Sequence, residues 1–466
     1  MKRTMTKKMM VIGGLILLLM IPLMMIEGVV KERSNYRDEA RRSIAQSWTG
    51  EQKFIGPLLV VPYKEFYKKK VWDAKLEEYQ LQTHHWNRKL YLAPEKLTLK
   101  GDVTTDERSR GLYTIPVYSS ELVVSGYFNN LRLLEVLKQS KHKIEWQPAH
   151  LSVMVSDVRG VVEQPLLQWQ EKRVEFISGA QLGKLKNGMH ASLGTLDIKA
   201  EQMPFNFKLS LRGMERLQFS PLGKSTEVGL SADWPHPSFI GRYLPGERSI
   251  DAEQFSASWN ISSFSSGMPQ LLAECQKGNC NALMNDTFGV TLFNSVDVYQ
   301  QSERSVKYAM LFIGLSFVAF FLFEVMKGLR LHPMQYLLVG LGLSVFYLLL
   351  ISLSEHIAFA QAYLLASLAS TAVIGFYISG VLHSARHGAT ITAGLLLLYA
   401  MLFGILRSED NALLMGSLLI FAVLSMVMVV TRRIDWYAIG ESMAAQAVLK
   451  GEAKDKGGEK EKVFEL

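Results

Sequence analysis

The residues with the clearest potential for membrane chemistry are Glu324, Glu355 and His356, which lie in or beside long apolar segments. An ionisable side chain inside a membrane is by default a candidate for proton or ion transfer. Glu324 is three residues before Lys327, however, and Glu355 and His356 occupy a short polar break. An ion pair and a solvated turn therefore explain these residues equally well, and no apolar segment has a charge at its centre.

A second candidate is the loop that contains Asp233, Trp234, His236 and Phe239. A proline on each side of His236 restricts the backbone, and the two aromatic residues offer a rigid apolar surface. One interpretation is a partner-binding loop in which His236 titrates. The other is a stiff connection between strands whose aromatic side chains fill the core. The second interpretation is favoured, because His236 has no evident base or metal partner.

The third candidate is the pair Cys275 and Cys280, the only cysteines among 466 residues. A disulfide, two free thiols and a metal pair are all compatible with this spacing. A zinc site would lack its other ligands, since no histidine is nearby. In an oxidising compartment we expect a disulfide that staples a short loop and has no chemical role.

Motifs of the common enzyme classes are missing from the sequence. There is no His-Glu-x-x-His and no Gly-x-Ser-x-Gly, and Gly223-Lys224-Ser225 lacks the earlier glycine of a P-loop because Gln218 occupies that position. The net charge of +8 is dispersed and has no accompanying nucleic-acid motif. We therefore predict no catalytic residues, no cofactor, no metal and no nucleic-acid partner.

Long apolar segments contain or flank Glu324, Glu355 and His356. Each reaches the ~18–20 residues that an α-helix needs to cross a bilayer. The sequence predicts a helical bundle of six transmembrane helices, a first one at 9–26 and five more at 308–325, 336–353, 357–382, 389–406 and 412–430. The predicted remainder is an N-terminus at 1–8, a large domain at 27–307 and a tail at 431–466.

The basic residues predict the orientation of this bundle. Basic residues precede the first segment, and no small-x-small cleavage site follows it, which indicates an uncleaved signal anchor. Alternation then assigns the loop residues Lys327, Arg330, Arg386, Arg432 and Arg433 to the cytoplasm, and Arg407 to the other side. This distribution agrees with the positive-inside rule. We expect both termini in the cytoplasm and residues 27–307 in the periplasm.

The predicted periplasmic domain changes its hydrophobic period along the chain. A four-residue spacing of apolar side chains continues the first helix as far as Thr49-Gly50. Beyond Gly56-Pro57 the period becomes two, most clearly at Phe205–Leu211 and Phe255–Ile261. One helix is predicted at Leu131–Lys138. Many short strands predict a β-rich, sandwich-like domain of antiparallel sheets.

Several runs of residues resemble the CreD family of bacterial inner membrane proteins, which are described as cell envelope integrity proteins. These runs are Glu32–Arg37, Gly56–Pro62, Asp233–Gly241, Phe320–Glu324, Leu331–Gly340, Phe346–Leu350, Ser354–His356 and Ile434–Tyr437. The resemblance implies an inner membrane location in Gram-negative bacteria, a role in envelope maintenance and a link to a two-component regulon that senses envelope stress or nutrients. It implies no catalytic residues.

Together these observations predict a non-enzymatic protein that supports cell envelope integrity. Its partners would be the lipid bilayer and an envelope protein, lipid or glycan that the periplasmic domain engages. The alternative is a transporter or lipid-handling protein that uses Glu324, Glu355 and His356.

Overall fold

The computed structural model describes residues 3–73, 78–183, 185–292, 298–327, 331–408 and 411–432. The chain divides into two compact units. The helical unit comprises Met1–Tyr36 and Val296–Leu466, and the β-rich unit comprises Arg37–Ser295. The prediction of a membrane helical bundle with a large β-rich region is confirmed.

The described residues contain ten α-helices, numbered in chain order. They are α1 (Arg3–Ser47), α2 (Leu131–Gln139), α3 (Ser263–Ser266), α4 (Met268–Gln276), α5 (Val298–Lys307), α6 (Ala309–Lys327), α7 (Pro333–Ser354), α8 (Phe359–Val381), α9 (Ala385–Arg407) and α10 (Ala412–Thr431). Six of them, α1 and α6 to α10, are long and apolar enough to cross a membrane. The short helix α5 belongs to the helical unit, although its residues fall inside the predicted periplasmic domain at 27–307.

Small residues allow the membrane helices to approach closely. Gly340 of α7 faces Leu19 of α1 and Phe317 of α6, and Gly388 of α9 faces Ser379 of α8. A side chain at either glycine would collide with these neighbours, with Phe317 Cζ only 2.9 Å from the position of a Cβ at residue 340. This is the small-residue packing that stabilises helix pairs in lipid, where hydrophobicity alone supplies no driving force.

In the described part of the β-rich unit there are seventeen strands. They are β1 (Gln52–Asp73), β2 (Glu78–Leu92), β3 (Lys96–Arg110), β4 (Tyr113–Asn129), β5 (Lys143–Trp146), β6 (Ala149–Val155), β7 (Leu166–Trp169), β8 (Lys172–Glu175), β9 (Ile177–Ser178), β10 (Met189–Gly194), β11 (Gln202–Met214), β12 (Arg216–Phe219), β13 (Ser225–Ala232), β14 (Pro237–Gly241), β15 (Glu247–Ile250), β16 (Phe255–Ser262) and β17 (Phe288–Leu292).

The strands form two sheets. The first has the order β14-β17-β12-β1-β6-β10-β9, with β2 and β5 also paired to β1, and the second has the order β15-β16-β13-β3-β4-β11-β7-β8. The expectation of antiparallel sheets is wrong for two strand pairs, because β1 pairs with β12, and β3 with β13, in parallel. Strands far apart in sequence make these pairs, and a period of two does not specify strand direction.

Among the described residues of the β-rich unit, the largest core lies between the two sheets, and a smaller core lies outside the first sheet. Strands β11, β13 and β16 alternate buried and exposed residues, so each contributes one face to the main core. Strand β6 is buried along its whole length. Its second face belongs to the smaller core, where Ile55, Leu58 and Met154 pack with Met268 and Cys275 of α4.

Within the β-rich unit, which includes α1 from Arg37 onward, buried polar contacts hold the end of this helix. Gln52, which is fully buried, donates hydrogen bonds to Asp157 O and Arg212 O, each at 2.9 Å, and to Thr49 Oγ1 at 3.0 Å. Arg159 donates to the carbonyl oxygens of Ala45 and Gln46 at the C-terminus of α1. These carbonyls have no partner within the helix, so the guanidinium group caps it.

Candidate functional site

Glu324 lies in the last turn of α6 and is almost completely buried, with 1% of its surface exposed. Lys8 of α1 forms an ion pair with Glu324 Oε1, and the backbone N–H of Leu331 donates to the same oxygen at 2.9 Å. Tyr336 Oη donates to Oε2 at 2.8 Å. The carboxylate therefore joins α1, α6 and α7. Its ionic partner is Lys8 rather than the nearby Lys327 that the sequence suggested.

The local structure of the segment Leu331–Tyr336 positions two of the hydrogen-bond donors to Glu324. His332 is the N-cap of α7: its Nδ1 accepts a hydrogen bond from Met334 N, and Gln335 Oε1 accepts one from His332 N. Pro333 occupies the first turn, where its missing N–H has no consequence. This capping arrangement fixes the start of α7 and places Tyr336 one turn later, against Glu324.

Glu355 makes the corresponding contact at the opposite end of α7. Arg33 Nε of α1 lies 3.6 Å from Glu355 Oε1, and Tyr299 Oη of α5 donates to the same oxygen at 3.3 Å. His356, which follows directly, is exposed, and its backbone N–H donates to Leu353 O at 2.9 Å. The runs Glu32–Arg37 and Ser354–His356 thus meet in the helical unit, as Phe320–Glu324 and Leu331–Gly340 do at the other end.

These two clusters hold helices together. Both oxygens of Glu324 accept hydrogen bonds, and its charge is balanced by Lys8. Glu324 and Glu355 contact opposite ends of α7, so the two carboxylates do not form one continuous polar site.

In the β-rich unit, Asp233, Trp234 and His236 lie in the loop that connects β13 to β14, whereas Phe239, which the sequence placed in the same loop, lies in β14. Trp234 is buried and its Nε1 donates to His236 O at 3.1 Å, while Phe239 packs edge-on against Phe255 and Trp259. Asp233 Oδ1 accepts a hydrogen bond from Thr105 N at 2.7 Å. The His236 side chain is exposed. The aromatic residues therefore contribute to the core, and Asp233 and His236 remain on the surface as the accessible part of this loop.

Cys275 and Cys280 form a disulfide that links the end of α4 to the short 3-10 helix Cys280–Met284. Both cysteines are buried in the smaller core beside Leu283. Among the residues that the structure describes, no group of three or more His, Cys, Asp or Glu side chains could hold a metal ion.

A two-stranded ribbon extends from the first sheet and was missed by the sequence reasoning. Strands β1 and β2 pair from Leu59↔Leu92 to Asp73↔Glu78. The third strand β5 covers only Tyr63–Phe66 of β1. Beyond that point Trp72, Tyr79 and Leu81 are exposed by 51%, 68% and 63%. The alternation of Lys68, Lys70 and Trp72 along β1 was visible in the sequence, but the facing residues of β2 were not.

Comparison with known proteins decides the family. The family described as "Inner membrane protein CreD" matches residues 4–437. The chain belongs to the CreD family. The Inner membrane protein CreD of Escherichia coli (strain K12) is 37% identical to it over 434 residues, covering 92% of this chain and 93% of that protein. Membership supports a multi-pass protein of the inner membrane, in agreement with the six apolar helices.

One solved structure that aligns with part of the chain does not bear on the assignment to the CreD family. The crystal structure of a mutant M1 zinc metallopeptidase from Deinococcus radiodurans, bound to a Tyr-Ser-Ala substrate, aligns with 36% of this chain and 39% of that chain. The sequence identity is 10% and the TM-score is 0.17, so this alignment carries no argument about fold or activity.

Proposed function

We propose that this chain is a non-enzymatic inner-membrane scaffold that supports the integrity of the cell envelope. In this proposal the helical unit is an anchor, and the β-rich unit lies in the periplasm and engages an envelope protein, lipid or glycan. The observation that supports the proposal most directly is that Glu324 links α1, α6 and α7. Its carboxylate is occupied by Lys8, Leu331 N and Tyr336 Oη, all within the helical unit.

The proposed orientation rests on charge and on helix alternation. Lys8 and Leu331 meet at one end of the helical unit, whereas Arg33, Tyr299 and Glu355 meet at the other. Helix alternation assigns most of the basic loop residues of the sequence to the same side as Lys8, which the positive-inside rule identifies with the cytoplasm. Alkaline phosphatase inserted at the exposed turn 111–112 should be active, and the same enzyme fused after Arg432 should be inactive. The reverse pattern would contradict the orientation.

The partner-facing part of the β-rich unit would include Asp233 and His236, the exposed residues of their loop. Photo-crosslinking from position 236 in growing cells tests this assignment, with position 112 on the exposed turn between β3 and β4 as the control. A product that forms at 236 and not at 112 supports a specific contact. Equal products at both positions would indicate random collision.

The competing function is transport or lipid handling through Glu324, Glu355 and His356. A matched set of substitutions separates the two functions. Lys8→Met with Glu324→Gln, and Arg33→Gln with Glu355→Gln, remove the titratable groups without leaving an unpaired charge, and His356→Asn completes the set. If the protein is a scaffold, the variant with all five changes should restore the resistance of a deletion strain to detergent and osmotic shock. If the protein is a transporter, the same variant should not restore resistance, although it inserts into the membrane at the wild-type level.

The scaffold proposal also predicts the phenotype of a deletion strain. Loss of the gene should increase sensitivity to detergent and to osmotic shock, because the envelope would lose a structural component. A deletion strain that grows as the wild type under both conditions would contradict an envelope role.

A further inference from the structure

The projecting part of the β1–β2 ribbon has two chemically different faces. In an antiparallel pair, residues directly opposite each other project to the same side. The register pairs Trp72 with Tyr79, Lys70 with Leu81 and Lys68 with Thr83, so these six residues share one face. The rings of Trp72 and Tyr79 lie 5.1 Å apart, as expected for opposite residues. We call Lys68, Lys70, Trp72, Tyr79 and Leu81 the ribbon face.

The two sides of the ribbon differ in their acidic residues. The ribbon face carries two lysines, and none of its five residues is acidic. Glu65 and Glu78 occupy alternate positions and project to the other side, where Glu65 is 2.8 Å from Arg88 Nε. Among the described residues, no carboxylate lies within ion-pair distance of Lys68 or Lys70. The ribbon face is therefore positively charged and partly apolar, and its lysines are available to an external anion.

We propose that the ribbon face binds the headgroup region of a bilayer that contains anionic phospholipid. Tryptophan and tyrosine are favoured at membrane–water interfaces because an apolar ring carries a polar edge, and Trp72 and Tyr79 present such rings side by side. Leu81 adds an exposed aliphatic side chain between the rings and the lysines. Lys68 and Lys70 supply the attraction to lipid phosphates.

Other occupants fit the ribbon face less well. The centre of a protein–protein interface usually contains few lysines. Two of the five residues of the ribbon face are lysines, so a protein partner fits this surface less well. An extended peptide would pair with the open edge of β2, which has no strand partner besides β1 among the described strands, and would leave the face exposed. The inference concerns a different surface from the loop of His236 and does not depend on the envelope role.

The full-length protein can report this contact directly. The native cysteines form a disulfide, so Leu81→Cys introduces a single free thiol for an environment-sensitive NBD fluorophore. Gln82→Cys provides the matched control, because Gln82 is exposed on the opposite face of the same strand. Each labelled protein is placed in nanodiscs of phosphatidylcholine with or without phosphatidylglycerol. Vesicles of the same two compositions are also added to the phosphatidylcholine nanodiscs.

We expect the label at 81 to brighten and shift to the blue when phosphatidylglycerol is present, in the nanodisc or in the vesicles, and the label at 82 to change little. Lys70→Gln should raise the lipid concentration for half the response about fivefold, the effect of removing one charge near an anionic membrane. Lys69→Gln, one residue away on the opposite face, should change it less than about twofold by the same reasoning.

Three results would overturn the inference. The first is emission at 81 that is the same with and without phosphatidylglycerol in both arrangements. The second is an equal response at 81 and 82, which would mean that the ribbon face has no special role. The third is a response to soluble polyglutamate but none to vesicles, which would identify an acidic polymer as the ligand. Circular dichroism of each variant checks that the β-rich unit is folded.

Discussion

The ammonium group of Lys8 donates a hydrogen bond to Glu324 Oε1 across a separation of 316 residues. Lys8 precedes the first apolar run, and Glu324 lies near the end of the second membrane helix. The pair therefore joins the first part of the helical unit to the part that follows the β-rich insertion. Lys8 therefore stabilises the helical unit, in addition to contributing to the proposed orientation of the protein in the membrane.

A double-mutant cycle should reveal this coupling. Lys8→Met leaves a buried carboxylate without its counter-ion, and Glu324→Gln leaves the ammonium group without its partner. We expect each single change to destabilise the protein by about 3 kcal/mol, whereas the double change should cost less than the sum, because no unpaired charge remains. Thermal unfolding of the detergent-solubilised protein, followed by size-exclusion chromatography, provides the measurement.

Lys7→Met is the control for this cycle, because Lys7 is exposed and adjacent in sequence. It should leave the unfolding temperature unchanged. Additive effects of Lys8→Met and Glu324→Gln would show that the two groups do not interact in solution.

Helix packing predicts a contrast between two glycines of α9. A Cβ at Gly388 would lie 3.0 Å from the backbone Cα of Ser379, which cannot rotate away, and closer still to the Ser379 side chain. A Cβ at Gly394 would meet nothing within 4 Å. Gly388→Ala should therefore destabilise the helical unit by about 1–3 kcal/mol through overpacking. Gly394→Ala should be neutral or stabilising by up to about 1 kcal/mol through helix propensity.

The same thermal assay distinguishes these outcomes. Equal stability of Gly388→Ala and Gly394→Ala would mean that α8 and α9 are not in close contact at Ser379.

The membrane helices and many strands were predictable because each depends on a local pattern. An apolar run of membrane length specifies a helix, and a period of two specifies a strand with one buried face. The pattern at Phe205–Leu211 thus predicted the core of β11 (Gln202–Met214). It did not indicate that β1 would pair in parallel with β12. Strand direction depends on which distant segments meet, and a single sequence contains no direct signal of that.

The site residues show the same limit. Glu324 was recognisable as an ionisable residue in an apolar helix, but its partners come from two other segments, Lys8 from α1 and Leu331 and Tyr336 from the start of α7. Trp234 and Phe239 were assigned to one stiff loop because of its prolines, but Phe239 lies in β14, where its half-buried ring packs against Phe255. The ribbon face required the register between β1 and β2, which is a property of the pairing and of neither strand alone.

A buried histidine makes stability depend on pH. His150 on β6 is 8% exposed, and its Nε2 has no hydrogen-bond partner among the described residues. Burial lowers its pKa to about 4, and the neighbouring His190 and Lys89 contribute in the same direction. The unfolded chain, with a pKa near the ordinary 6.5, takes up the proton first as the pH falls. The β-rich unit should therefore lose stability between about pH 6.5 and 4, by about 2 kcal/mol at pH 5.

Replacing the ring isolates this contribution. His150→Phe should reduce the difference between unfolding temperatures at pH 7 and pH 5, because no proton is then taken up at this position. His142→Gln, at an exposed histidine, should keep the wild-type difference. An unchanged pH dependence in His150→Phe would assign the effect to other groups.

Gln52 gives the sharpest prediction for the β-rich unit. Its side chain donates to Thr49 Oγ1, Asp157 O and Arg212 O, and its Oε1 accepts from Asp157 N at 3.2 Å. Gln52→Leu would leave several buried backbone groups without partners and should cost about 3 kcal/mol. Gln52→Glu keeps the shape but replaces the donor with a buried negative charge, so it should be at least as harmful.

The two substitutions at position 52 separate hydrogen bonding from packing. If side-chain volume alone mattered, Gln52→Glu would be tolerated and Gln52→Leu would be only slightly worse. Gln202→Leu, at an exposed position in β11, should have little effect on unfolding. Because Gln52 bonds Asp157, and Asp157 in turn orients Arg159 against the end of α1, loss of the amide should also increase proteolysis near Ser47. Limited trypsin digestion, which cuts after Arg42 and Lys53, can follow this change.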